Sequence, residues 1–176
     1  LVRYFTDSLL RNERAVVLAG RCYSSETVPF KAFDGVMDRL CRLLLSLEDD
    51  YLEPRLPEDT AALARVFPIL RRVPAVERRA SSALTAPDEW ELRRRAFVGF
   101  QETLANISAE RPVVLHIDDL QWVDMDSAEF LDQVLRWSDR LRVLFVLSFR
   151  SEDVSALPLL SRLLASAGTQ CRRVLE

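Results

Sequence analysis

The sequence predicts an α/β layered fold, a parallel sheet with helices on both faces, and three observations carry that prediction. Short, mostly apolar runs at Ala15–Ala19, Val113–Ile117 and Leu141–Ser148 have the length of buried strands. Longer stretches with an apolar residue every three or four positions lie between them, as amphipathic helices require. Strands that alternate with helices pack as a parallel sheet under helical layers. With 176 residues, 49% of them apolar, the chain is long enough to bury a sizeable core without disulfides or metals.

Residues 1–13 read as the end of a helix, with Val2, Phe5, Leu9 and Leu10 at helical spacing. The first strand, Ala15–Ala19, is closed by Gly20, and a polar connection occupies residues 24–29. Helical period returns over Phe30–Leu47 through Phe33, Val36, Met37, Leu40 and Leu44. From about 48 to 87 the text is mixed and punctuated by Pro54, Pro57, Pro68, Pro74 and Pro87, so only a short helix near Asp59–Leu70 is expected there. This stretch exceeds a normal crossover and predicts a helical insertion between the first two strands. A longer helix follows at Asp88–Ser108, with Trp90, Phe97, Phe100, Leu104 and Ile107 on one stripe that reads as core. Pro112 opens the second strand, which ends in Asp118 and Asp119. Asp126 with Glu129 three residues on resembles a capping box for a helix running to Trp137. After the third strand, Pro158 starts a helix to about Ala165, and Cys171–Leu175 begins a fourth strand.

Composition excludes several classes. The apolar content rules out a disordered chain. The longest unbroken apolar runs fall far short of the roughly 18 residues a membrane span needs. A formal charge of −3 gives no global attraction to nucleic acid or anionic lipid. Three scattered cysteines form neither a disulfide framework nor a zinc spacing, which suits a reducing cytoplasm. Cys22 reads as a small buried hydrophobe. His116, the one histidine, cannot build a multi-histidine metal site and reads as a packed strand residue with one hydrogen bond. The chain starts at Leu1 with no basic-then-apolar leader, so a cytoplasmic location and a parent longer than this chain are expected. The single lysine, Lys31, follows Phe30, and no two of the four glycines stand five apart, so the 176 residues contain no G-x-x-x-x-G-K-[ST] phosphate loop.

The run Val113-Val-Leu-His-Ile-Asp-Asp119 carries the chemistry. In parallel sheets ligands sit beyond the carboxyl ends of the strands, and this strand delivers two adjacent acids there. One carboxylate can hold Mg²⁺ while the next orients or deprotonates a water. The plainer alternative is a strand ending in a solvated turn.

Further residues extend the pattern. Val113–Ser127, V-V-L-H-I-D-D-L-Q-W-V-D-M-D-S, resembles the Walker B segment of STAND-type ATPases, AAA-like signalling NTPases of large multidomain regulators. Leu18–Tyr23 followed by Thr27–Lys31 is similar to that family's second strand and following loop. Asp88–Phe97 resembles the helix before Walker B in versions joined to bacterial serine/threonine kinases and TPR arrays, and Leu144–Glu152 resembles the sensor-1 strand with its terminal arginine.

The resemblance implies a three-layer parallel sheet of the P-loop NTPase (ASCE/AAA-like) type. Residues 1–176 would be a partial NTPase domain, with the helical insertion at about 48–87 and with the first strand and phosphate loop upstream. That upstream strand would lie beside the strand ending at Ser148. The resemblance makes Asp118 the metal-holding acid, Asp119 the acid that positions water and Arg150 the reader of the γ-phosphate. Ser148 would place a hydroxyl near the nucleotide, and Trp122 and Asp124 would anchor the loop after the strand. The implied cofactors are ATP and Mg²⁺, and the implied function is an ATP-binding, ATP-hydrolysing signalling switch, inactive as this piece alone. Its partners would be neighbouring kinase, TPR or DNA-binding domains of the same polypeptide. The alternative is a nucleotide-free interaction scaffold that keeps the fold. A third reading, a DNA-binding initiator-like ATPase, draws on the basic tract at Arg71-Arg72, Arg78-Arg79 and Arg93–Arg95. Sparse aromatics and nearby Glu77, Asp88, Glu89 and Glu91 make that tract a solvated helix face or a contact for a partner domain, and direct nucleic-acid binding is not expected.

Overall fold

A computed structural model describes residues 2–12, 14–24, 28–82, 88–137, 141–150 and 152. The helix expected from Pro158 and the strand expected at Cys171–Leu175 lie outside the described residues.

Helix α1 (Val2–Arg11) leads into β1 (Val16–Arg21), which pairs in parallel with β2 (Val113–Asp118), itself parallel to β3 (Val143–Leu147). The order is β1-β2-β3, with Val16 opposite Val113 and Val113 opposite Val143. Side chains alternate between faces. Val16, Leu18, Val113, Leu115, Ile117, Phe145 and Leu147 point into the main core. Ala15, Val17 and Val114 form a second, smaller cluster on the other face, covered by Leu9 of α1.

On the main face α2 (Asp34–Leu45) buries Val36, Met37, Leu40 and Leu44. Each such side chain stabilises by roughly 1.5–3 kcal/mol relative to exposure. Two glycines let α2 and the turn before it approach β1 closely. A Cβ on Gly20 would stand 2.3 Å from the Ala32 carbonyl oxygen, and one on Gly35 2.8 Å from that of Ala19.

The stretch after α2 is more helical than its prolines suggest. It contains α3 (Asp49–Leu52), α4 (Thr60–Val66) and α5 (Pro74–Ser82), with 3-10 turns at Glu53–Arg55 and Pro68–Arg72. Pro54, Pro68 and Pro74 stand within the first two positions of their segments, where the missing N–H is no loss. They start helices instead of ending them. Leu52, Leu56, Leu63, Phe67, Leu70, Val73 and Val76 then join the main core.

The basic tract is largely paired. Arg78 bridges Asp49 and Glu53, Arg94 holds Glu91, and Arg95 holds Asp59. Arg71 grips both oxygens of Glu77 at 2.7 and 2.8 Å, and the Ser81 hydroxyl donates to Oε1 at 2.8 Å. These bonds hold the Glu77 carboxyl down at about 2. An unfolded glutamate titrates near 4.3, so the pair contributes stability above that pH and loses it as pH falls toward the folded value. Both side chains are exposed, so the contribution is small. Arg71→Ala is expected to return Glu77 to the ordinary glutamate range in a carboxyl ¹³C titration. A Glu77 curve unmoved by the substitution would show that the pair does not form in solution.

Helix α6 (Glu89–Glu110) starts at Asp88, whose Oδ1 accepts the Glu91 N–H at 2.8 Å. Phe100 and Leu104 are fully buried, but Trp90 is 72% exposed and is not core. It occupies the first turn of α6, and the core begins about two turns later, at Ala96 and Phe100. Helix α7 (Met125–Trp137) buries Phe130, Leu131 and Val134. Among the described residues no helix is long and apolar enough to cross a membrane.

Candidate functional site

The carboxyl ends of β2 and β3 bring Asp118, Asp119 and Ser148 together. The Ser148 N–H donates to the Ile117 carbonyl at 3.1 Å, and the Leu120 N–H donates to the Ser148 carbonyl at 2.9 Å. These bonds tie the two strand ends before the chain leaves the sheet. Asp119 turns it there with φ 55°, a left-handed conformation that aspartate tolerates better than most residues, and a 3-10 turn follows at Leu120–Trp122.

Asp118 Oδ1 accepts the Ser148 hydroxyl at 2.6 Å and the Asp119 N–H at 3.1 Å. His116 Nε2 stands 3.2 Å from the same Ser148 oxygen. Burial lowers the His116 pKa, the Arg39 charge adds to the effect and Asp118 opposes it. His116 and Asp118 line an open cavity of about 820 Å³ that runs beside β1 and α2.

Two residues at the site were not anticipated from the sequence. Arg21, at the end of β1, places Nε 2.7 Å and Nη2 2.6 Å from Asp119 Oδ2. Gln121 donates its amide to Asp119 Oδ1 at 3.2 Å and accepts the Arg150 N–H at 3.3 Å. Arg21 stands in register with Asp118, a relation visible only once β1 and β2 are paired. Gln121 had a signal, being buried and polar inside D-D-L-Q-W. Arg150 reaches the cluster through its backbone, while its exposed side chain adds positive charge near Asp119.

The hydrogen bond from Arg21 is the largest cause of a lowered Asp119 pKa; burial opposes it, and Gln121 and Arg150 lower it further. Arg21→Ala is therefore expected to raise the Asp119 carboxyl toward the ordinary aspartate range, read by ¹³C-detected titration. The Asp119–Arg21 pair stabilises the fold above the unfolded aspartate pKa and fades as pH falls through the lowered value. An Asp119 carboxyl that titrates identically in the variant would rule the clamp out.

Asp124 anchors the loop. Its Oδ1 accepts the N–H of Ser127 at 2.8 Å and of Phe30 at 3.2 Å. It therefore caps α7, a role the sequence pattern assigned to Asp126, which instead pairs with Arg93. Capping falls to Asp124 because it directly precedes the first helical residue, Met125. Phe30 has φ 62°, strained by roughly 1–3 kcal/mol for a non-glycine residue. That conformation is held by the bond to Asp124 and by ring contacts with Phe67 and Phe130. Trp122 is 46% exposed and contributes less to the anchor.

The residues present fit Mg²⁺ better than a caged metal. No described cluster of three His, Cys, Asp or Glu side chains could hold an ion unaided. Mg²⁺ characteristically takes one or two carboxylates, waters and substrate phosphates, and Asp118 Oδ2 can serve as such a carboxylate.

The chain is an α/β module whose adjacent acids and serine stand beyond the carboxyl ends of parallel strands, where such sheets bind their ligands. Residues 1–146 match the family model of the AAA ATPase domain, and the chain belongs to that family. The family is one of nucleotide-binding, ATPase-type modules that use ATP and Mg²⁺. No curated protein and no solved structure shows a significant match.

Proposed function

We propose that the chain is the acid-bearing part of an ATP-hydrolysing switch of the STAND type, working with a phosphate loop carried on residues before Leu1. The observation that supports it most is the hydrogen-bonded set of Asp118, Asp119 and Ser148 at the ends of two parallel strands. A scaffold has no physical need for two adjacent acids steered by an arginine, a glutamine and a serine.

Asp118 would hold Mg²⁺, with Ser148 steering its carboxylate. Bound Mg²⁺ supplies neutralisation of the charge that develops on the phosphoryl oxygens. Asp119 would orient the attacking water and accept its proton. In the present arrangement Arg21 holds Oδ2 of Asp119 and Gln121 holds Oδ1, which leaves an acceptor site on each oxygen for a water. A carboxylate gripped by a guanidinium is a weaker base. Arg150 would meet the γ-phosphate through a charge-assisted contact. Loss of that phosphate would then bias neighbouring kinase, TPR or DNA-binding domains of the same polypeptide.

The test is ATP turnover by the polypeptide that includes the phosphate loop, compared with its Asp119→Asn variant. Turnover is expected to fall by about 10²-fold or more, the scale for removing an essential acid–base group, with nucleotide binding retained. Equal turnover in both proteins would remove Asp119 from the reaction and leave the scaffold reading in front.

A further inference from the structure

His116 precedes Asp118 by two residues on β2, so both side chains leave the same face of the strand. Ser148, just past β3, reaches across to both. Its Oγ lies 2.6 Å from Asp118 Oδ1 and 3.2 Å from His116 Nε2. A serine hydroxyl has one hydrogen, and a carboxylate offers only acceptors. The hydrogen therefore goes to Asp118, and the remaining lone pairs of Oγ can only accept from His116. Each bond has one direction: His116 Nε2–H donates to Ser148 Oγ, and Ser148 Oγ–H donates to Asp118 Oδ1.

Asp118 Oδ1 also accepts the Asp119 N–H at 3.1 Å. Two donors on one oxygen restrain the rotation of the carboxylate, and Asp118 lines the open cavity beside β1. Among the described residues His116 is the donor to the serine oxygen, so without it the hydroxyl is freer to rotate away from Asp118. An apolar residue would pack this half-buried strand position at lower desolvation cost, since a buried imidazole needs its hydrogen bond.

We propose that His116 is a positioning residue for Mg²⁺ at Asp118: it locks the Ser148 hydroxyl so that Asp118 presents Oδ2 to the metal. This rests on the reading of Asp118 as the metal-holding acid. Partners that orient a metal ligand from behind typically matter by about 10–100-fold in metal affinity or activity.

The test has a spectroscopic arm and a kinetic arm. The chain has one histidine, so ¹⁵N-histidine labelling of the 176-residue chain reports both ring nitrogens of His116 without assignment by mutation. A protonated Nε2 and a bare Nδ1 are expected, with both signals shifted by Ser148→Ala. A protonated Nδ1 with bare Nε2, or a spectrum that Ser148→Ala leaves in place, overturns the proposal.

In the polypeptide that includes the phosphate loop, His116→Leu is expected to raise the Mg²⁺ concentration for half-maximal turnover by ~10-fold or more. The KM for nucleotide at saturating Mg²⁺ should stay nearly constant. His116→Gln, which keeps an N–H donor at similar reach, should recover most of the Mg²⁺ response. Equal behaviour of the two variants means that His116 serves packing alone and overturns the proposal. An unchanged Mg²⁺ response in Asp118→Asn removes the metal from Asp118 and the role from His116 with it, whichever tautomer the spectrum shows.

Discussion

In the polypeptide that includes the phosphate loop, Asp118→Asn is expected to lower Mg²⁺-dependent ATP turnover by ~10²–10³-fold, the range found when one preorganised electrostatic group is removed from a reaction centre. Asparagine keeps the size of the side chain, and its carbonyl oxygen can still accept from Ser148 and Asp119 N–H. The strand end therefore stays as it is, and what disappears is the negative charge. A neutral amide holds a hard divalent cation much less well than a carboxylate. The loss should be partly recovered at high Mg²⁺ concentration, whereas Asp119→Asn should show no such recovery. Turnover measured across a Mg²⁺ series, with urea unfolding as a fold control, separates the two acids. Turnover within twofold of the parent at every Mg²⁺ concentration would end the assignment of Asp118.

Phe130→Ala is expected to destabilise the fold by about 3–5 kcal/mol, the upper range for large-to-small core changes. Phe130 is 4% exposed and stands at the centre of five rings. Its centroid lies 4.8 Å from Phe33, 5.5 Å from Phe100, 5.7 Å from Phe97, and 5.8 Å from Phe30 and Phe67. Those rings come from the turn before α2, from α6 and from the end of α4, so neighbours tied to different elements cannot all collapse into the space left behind. The effect should reach the site, because Phe30 keeps its left-handed backbone partly through this packing and its N–H bonds Asp124. A shift of the urea midpoint with unchanged slope reads the loss. A variant within ~1 kcal/mol of the parent would mean that the aromatic cluster does not organise the core as a unit.

Local pattern was enough for the strands and the longest helices. Strand Val113–Asp118 is apolar at four of its six positions, and α6 repeats apolar residues at helical period behind an Asp88 cap; both signals depend only on neighbours in the chain. The region from 48 to 82 was harder to read, since a proline that breaks a helix and one that begins it look alike in sequence. Trp90 had the spacing of a core residue, but where the core begins along α6 depends on what packs against it.

The same division runs through the site. Where the two acids stand was legible in the sequence: the apolar residues of β2 stop at Ile117, so Asp118 and Asp119 fall at the strand's carboxyl end. Tertiary structure alone decided how they are held. Arg21 lies 98 positions from Asp119, and Ser148 lies 30 positions from Asp118 and 32 from His116. Parallel pairing joins strands through long crossovers, so partners at neighbouring strand ends are remote in sequence, and no local periodicity records which of them will meet.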